Sequence, residues 1–403
     1  MLQGLIRRLI RVGRLSIVYP GGRVEEYGDG SGPPVTVRLT ARGVRRLMRD
    51  PDLGLGEAWM EGDLELEQGA MWDLLEMVGR NRAGAPARPG AVMRVVHALE
   101  RRLEQWNTRA ASRRNVHVHY DLSTDLYRRF LDADMQYSCA YFTRPDMSLE
   151  EAQAAKKAHL AAKLDLSPGQ RVLDIGSGWG GLGLELAGRY GAKVTGVTLS
   201  EEQLAVARSR AEAAGLAACA RFELTDYRDV VGPFDRIVSV GMFEHVGAPN
   251  YRAFFQRIAD LLTDDGVAVI HSIGRRSPPG ITQSFIRKYI FPGGYIPALS
   301  EVTAAVEEAG LWITDIEVLR LHYAETLRCW RMRFLAQREA IAELYDERFC
   351  RMWEFYLGVS ELAFRYLDCM VFQVQLSKRV DALPLTRDYI HEVELAPPAR
   401  RRA

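Results

Sequence analysis

Val172-Leu173-Asp174-Ile175-Gly176-Ser177-Gly178-Trp179-Gly180 is an apolar run that stops abruptly at alternating glycines. A strand cannot continue through Gly-Ser-Gly, whereas glycines admit positive φ and let the backbone approach a ligand closely. The residues that follow read as a helix, so the stretch is a strand, a tight turn and a helix start. The same alternation extends outward. RVLDIG (171–176), AKVTGVTL (192–199), ARFELTDY (220–227), FDRIVSVG (234–241) and GVAVIHSIG (266–274) are rich in Val, Ile and Leu, and helical stretches separate them. Strands alternating with helices predict an α/β fold, a parallel sheet with helices on both faces. LWITDIEVL (311–319) and MVFQVQLSKR (370–379) add two strands, with a helical insertion at about 326–368 expected as a cap over the carboxyl edge of the sheet.

Upstream the pattern is different. LSIVY and VTVRL alternate apolar and polar residues around Pro20-Gly21-Gly22, which predicts an antiparallel hairpin and a third strand. Thr40 stands as an N-cap for a helix through Met48, and a second helical stretch covers 70–78. The Gly, Pro and Ala cluster at 81–91 is the linker candidate, followed by a long basic helix from Val92 to about Arg113. The domains expected are therefore a small α+β domain at 1–80, the linker at 81–91, and a larger domain at 92–403 that contains the helical insertion.

A chain of 403 residues suits two domains. A net charge of +1, with 47% hydrophobic and 26% charged residues, is the profile of a globular protein and gives no global electrostatic grip on nucleic acid. Cys139, Cys219, Cys329, Cys350 and Cys369 lie far apart, which suggests neither a zinc site nor a disulfide framework and fits a reducing cytoplasm. Arginines interrupt MLQGLIRRLIRVGRL, so it lacks the apolar segment of a signal peptide, and no run reaches the length of a membrane span. Leu2, Leu5, Ile6 and Leu9 recur at helical spacing between Arg7, Arg8, Arg11 and Arg14. That pattern reads equally as a helix lying on an anionic membrane or as a charged face packed on its own domain.

Ligands of open α/β sheets bind at the carboxyl ends of the strands. There Asp174 precedes the glycine turn, whose helix N-terminus would face a carboxylate. Thr198, Leu199 and Gln203 end the second strand and would reach a ribose. Asp226, next to Tyr227, ends the third, where an acid can accept from an adenine amino group. The glycine turn alone would also suit a dinucleotide; the bland alternative is a generic doubly wound fold that binds some other nucleotide.

HYDLS (119–123), MQYSCAYF (135–142), LDIGSGWGG (173–181), VTLSEEQ (197–203), SVGMFEHVG (239–247), HSIG (271–274) and FPGGYIP (291–297) stand in the order found in the cyclopropane fatty acid synthase family, including its mycolic acid cyclopropane synthase branch. The sequence resembles that family from roughly 115 to 380, and more weakly at GEAWMEGDLEL (56–66). The resemblance implies a Rossmann-like class I methyltransferase sheet, a small N-terminal lipid-binding domain, and S-adenosylmethionine bound by Tyr137, Ser138, Asp174, Gly176, Gly178, Trp179, Gly180, Thr198, Leu199, Gln203, Asp226 and Tyr227. It also implies a bicarbonate ion held by Cys139, Glu244, His271 and Tyr323 and the backbone at Ile273. The expected substrates are unsaturated acyl chains of membrane phospholipids, reached by peripheral docking on the inner face of the membrane; a homodimer is compatible with this.

An isolated alkene is a poor nucleophile, so the methyl donor must be held in line with it in a dry pocket. The cation then left on the chain would be shielded by aromatic faces, for which Tyr137, Tyr141, Phe142, Phe243 and Tyr323 are placed, although core packing is the simpler reading of Phe142 and Phe243. Glu244 among apolar walls would be a weak acid. His271 lies within a strand, where a core histidine bonded to backbone is the plain reading from position. His117-Val-His119 lacks further ligands and reads as structural. Many relatives carry a cysteine in the helical cap where Tyr356-Leu-Gly-Val-Ser360 places a serine. Ser360 is a poor unaided nucleophile, but direct alkene methylation needs none. A methyl-branched or methylene product, made with a partner oxidoreductase, is therefore the alternative to a ring.

Overall fold

The computed structural model describes residues 2–83 and 122–395. Most of the expected linker, the basic helix at 92–113 and the His117-Val-His119 pair lie outside the described residues. Two compact units emerge. The first comprises residues 2–83 with Thr282–Pro292 and Ala324–Cys369; the second comprises 122–281, Gly293–Tyr323 and 370–395. The helices expected as an insertion at about 326–368 thus cluster with the N-terminal residues.

The first unit holds a four-stranded sheet, β1 (Arg14–Val18), β2 (Val24–Tyr27), β3 (Pro34–Leu39) and β4 (Leu64–Gln68), in the order β2-β1-β3-β4. β1 and β2 form the antiparallel hairpin that the turn residues predict, and β3 runs parallel to β1. β4, antiparallel to β3, has no counterpart in the sequence reading, because Leu-Glu-Leu-Glu-Gln is a short edge segment with two apolar residues. Thr40 caps the helix Ala41–Arg49 by accepting from Gly43 N at 3.0 Å. The helical stretch expected over 70–78 spans Met71–Arg82 instead, reaching into the expected linker. Its Asn81 side chain clasps the N-terminal segment, accepting from Arg11 N and Val12 N and donating to Val12 O.

In the same unit Gly56 of the helix Pro51–Met60 leaves room for two aromatic rings. A Cβ there would lie 2.3 Å from Phe285 and 2.8 Å from Phe355, the latter on the helix Glu347–Tyr366. Buried Arg331 pairs with buried Glu361 at 3.0 Å and places its guanidinium over the Trp72 ring. Two desolvated charges are tolerated because each has its partner in place.

The second unit is built on seven strands, β5 (Arg171–Ile175), β6 (Lys193–Thr198), β7 (Ala220–Leu224), β8 (Phe234–Val240), β9 (Leu262–Arg275), β10 (Trp312–Leu319) and β11 (Cys369–Ser377), in the order β10-β11-β9-β8-β5-β6-β7. β5 to β9 pair in parallel, and β10 and β11 are antiparallel. Alternate residues go to opposite faces: Leu173, Ile237 and Ala268 to one core, Val172, Val238 and Val269 to the other. Both faces are apolar because helices cover both, so these strands read as continuous hydrophobic runs. The sheet order reverses beside β5, which puts the ligand crevice at the ends of β5 and β8.

Candidate active site

The turn after β5 is a glycine cradle. Gly176, Gly178 and Gly180 have φ of 83°, 55° and 83°, a region that side-chain-bearing residues rarely adopt. Gly176 N and Ser177 N both donate to Val197 O of β6, which fixes the turn. A Cβ at Gly176 would lie 2.9 Å from Met242 Cβ, so the turn also packs closely on the loop after β8.

A cleft opens above this turn. Tyr137, Ser138, Asp174, Gly176, Gly178, Trp179, Thr198, Leu199, Gln203, Asp226 and Tyr227 all line it. Gly180 does not. It precedes the helix Gly181–Tyr190, and a Cβ there would meet Ala207 and the Phe222 ring at 2.9 Å, so its small size serves packing. Three buried groups of the cleft have no hydrogen-bond partner: Asp174 Oδ2, Ser177 Oγ and Trp179 Nε1. Unpaired buried polar atoms are costly, and such a set on one wall fits a ligand that carries its own donors and acceptors. Burial raises the Asp174 carboxyl to about 7, while the Lys156 charge draws it back down. Thr198 Oγ1 and Gln203 Oε1 face each other at 3.1 Å, and Asp226 is held by Arg228, whose Nε donates to Oδ1 at 2.8 Å.

A second group of buried polar residues follows from the ends of β8 and β9. Val240 pairs with His271, and the short turn Phe243–His245 comes directly after β8. Glu244 Oε1 accepts from Ile273 N at 2.6 Å, and Oε2 has no partner. Burial raises this carboxyl to about 7 against the pull of the Ile273 N–H. His271 is buried, with Nδ1 at 3.1 Å from Gln373 Nε2. Burial, helped by the Lys156 charge, holds its imidazole well below the usual histidine range, hence neutral. Cys139 is buried, with its thiol directed at Ala140 O. Tyr323 follows His322, whose Nδ1 accepts from Phe142 N at 3.0 Å, so Cys139 and Tyr323 sit on two segments that are joined.

The second unit thus contains Cys139, Glu244, His271, Ile273 and Tyr323, and Met242, His245 and Val246 beside Glu244 line the cleft itself. Ser360 stands half-buried on the helix Glu347–Tyr366 of the first unit. Phe243 is core, stacked on Tyr251 at 4.3 Å. The Tyr141 ring is taken up by stacking on His159 at 4.2 Å and on His322 at 5.0 Å. That differs from the cation-facing role expected of it.

The chain matches the mycolic acid cyclopropane synthetase family over residues 107–374, and a domain family of unknown function over 2–85. The chain belongs to the mycolic acid cyclopropane synthetase family. It is 38% identical over 387 residues to the tuberculostearic acid methyltransferase UfaA1 of Mycobacterium tuberculosis, covering 90% of this chain and 88% of that one. It is 39% identical to the cyclopropane-fatty-acyl-phospholipid synthase of Escherichia coli K12, covering 84% and 86%. The solved structure of mycolic acid cyclopropane synthase CmaA1 complexed with SAH and CTAB superposes with a TM-score of 0.63 at 36% identity, covering 66% of this chain and 97% of that one. As a family member the chain is an S-adenosylmethionine-dependent methyltransferase with the class I sheet.

Sequence reasoning passed over Gln136, Lys156, Arg228 and Gln373. Lys156 had a signal: in the helix Leu149–Lys163 it falls on the face of Leu149, Ala152 and Leu160, where a lysine must be buried and paired. Gln373 had none, because a glutamine inside an alternating strand does not reveal which histidine lies on the next strand.

Proposed function

We propose that the chain methylates the cis double bond of unsaturated phospholipid acyl chains and closes a cyclopropane ring. The observation that carries this is Glu244: a buried carboxyl with one oxygen free, one residue from the cofactor cleft, in a chain of this family. S-adenosylmethionine would supply an electrophilic methyl on its sulfonium. Asp174 would take the donor's amino-acid end, the Thr198 and Gln203 side the ribose, and Asp226 and Tyr227 the adenine.

The Glu244 and His271 group suits a small oxyanion bearing a hydroxyl. Oε2 can accept from the hydroxyl, and a neutral imidazole bonded through Nδ1 leaves its other nitrogen for an acceptor oxygen. Bicarbonate has that pattern and would supply the general base for ring closure. Cys139 and Tyr323 complete the site in this reading. No metal-ligand cluster of three or more His, Cys, Asp or Glu occurs among the described residues.

The lipid must be reached at a surface, for among the described residues no helix is long and apolar enough to cross a membrane. The helix Leu2–Leu9 has exposed Arg7 and Arg8 and no acid, and Leu5 is exposed beside them. The adjacent helix Ala41–Arg49 also has no acid and exposes Arg45, Met48 and Arg49. Cationic and apolar side chains on one face favour peripheral docking on an anionic membrane. Expression in a host lacking such enzymes, with mass spectrometry of the acyl chains, tests the reading: chains heavier by one CH₂ support it, and an unchanged profile overturns it.

A further inference from the structure

Lys156 lies in the middle of the helix Leu149–Lys163 with 0% of its surface exposed. A buried ammonium is tolerated only when paired and hydrogen-bonded. It donates to Gln136 Oε1 at 2.5 Å and to Ser138 Oγ at 2.9 Å, and both residues line the cleft. The same helix secures that wall a second time, because Gln153 Nε2 donates to Gln136 O at 3.2 Å and Ser138 O at 2.9 Å. Asp174 lines the same cleft, with Oδ2 buried and unpartnered.

The charges around Lys156 are Asp132, Asp134, Lys157, the Cys139 thiol, Asp174 and His271. Asp134 is already neutralised by Lys157 at 2.6 Å and by Arg210. Asp132 accepts from Gln136 N and Asp134 N. Asp174 has no such company, and Lys156 is the charge that opposes its desolvation.

We propose that Lys156 is a positioning residue for the methyl donor: bonded to Gln136 and Ser138 on the cleft wall, it is the buried cation that serves Asp174, the unpartnered carboxylate of the same cleft placed to receive the donor's ammonium end. This rests on the reading of the cleft as the S-adenosylmethionine site. Burial lowers the Lys156 ammonium to about 8, so it remains charged at pH 7, where Asp174, raised to about 7, is changing state. Donor binding favours the carboxylate, so it strengthens as pH rises through 7. Without the lysine charge, Asp174 titrates higher and the rise moves to higher pH.

The test is calorimetry of S-adenosylmethionine binding to the full chain from pH 6 to 9, for wild type, K156M, D174N and the double variant. K156M is expected to bind about fivefold more weakly than wild type at pH 7, the difference vanishing by pH 9, as about one pH unit of displacement requires. In the D174N background the lysine substitution adds no pH dependence. A loss by the same factor at every pH, or no loss, overturns the proposal. A wild-type chain that binds no S-adenosylmethionine at any pH overturns the cleft assignment as well, and so is distinguishable. If K156M does not fold by circular dichroism, K156Q replaces it; if neither folds, the lysine is structural and the proposal falls.

Discussion

Ile273 N donates to Glu244 Oε1 at 2.6 Å, so a strand backbone fixes one oxygen of a buried carboxyl and leaves the other directed at nothing. In the proposed reading, a general base held by that oxygen and by His271 would lose its orientation when either is changed. E244Q and H271A should each lower turnover by about 10²-fold or more, the usual contribution of a positioned acid or base. S-adenosylmethionine affinity should stay within a few fold, because neither side chain lines the cleft. Calorimetry and a lipid assay on each variant check this, and near wild-type turnover in both would remove the assigned roles.

The same burial has a signature in stability. Glu244 is raised from 4.5 to about 7 on folding, chiefly by desolvation. A carboxyl raised in the folded state carries no penalty below its unfolded pKa and loses stability as pH rises to the folded one. The penalty therefore builds between pH 4.5 and 7 and is constant above, on the order of 3 kcal/mol at about 1.4 kcal/mol per pH unit. Denaturant titrations should show the stability of E244Q relative to wild type increasing from pH 5 to pH 8. A difference that is the same at both values contradicts the neutral, desolvated carboxyl.

The sheet was legible because strands covered on both faces are rich in Val, Ile and Leu, and each strand from β5 to β11 overlaps a segment that reads as a strand in the sequence. The cleft lining was legible for a related reason: Asp174, Thr198 and Asp226 all fall at or just after strand ends, where a sequence pattern stops at a definite place. β4 was not legible, since two leucines in five residues are too few to show a period. Nor were partnerships across long sequence distances, such as Gln373 with His271, because pairing register is set by the whole sheet.

The N-terminal arginines can now be tested without truncation. Leu2 and Ile10 are buried at 6% and 3% exposure, so removing residues 1–14 would strip part of the core along with the charge. Reversing the exposed Arg7 and Arg8 to glutamate leaves those apolar contacts in place. Each arginine near an anionic surface contributes about 1 kcal/mol. The double reversal should weaken sedimentation with anionic vesicles by about tenfold or more at low salt, and the difference should diminish as salt rises. Equal partitioning of variant and wild type at low salt would place the docking surface elsewhere.

Ring closure and the branched outcomes share one methylation step and diverge in what happens to the cation on the acyl chain. If a base near the incoming methyl takes a proton from that carbon, the ring closes; loss of a different proton gives an alkene, and a methyl branch requires a hydride from a reductant. The Glu244, Ile273 and His271 group lies at the end of the strands that flank the cofactor cleft, which favours proton loss from the new methyl. A methyl donor supplies no hydride, so the branched product would need a reductant besides it. Direct alkene methylation needs no enzyme nucleophile, so S360A, on the helix Glu347–Tyr366, should keep the product unchanged. Proton NMR of extracted lipids decides between the routes, because cyclopropane protons appear upfield of other aliphatic signals. Ring protons are expected from the wild type and from S360A alike; olefinic methylene or methyl-branch signals without them would transfer the proposal to the branched product.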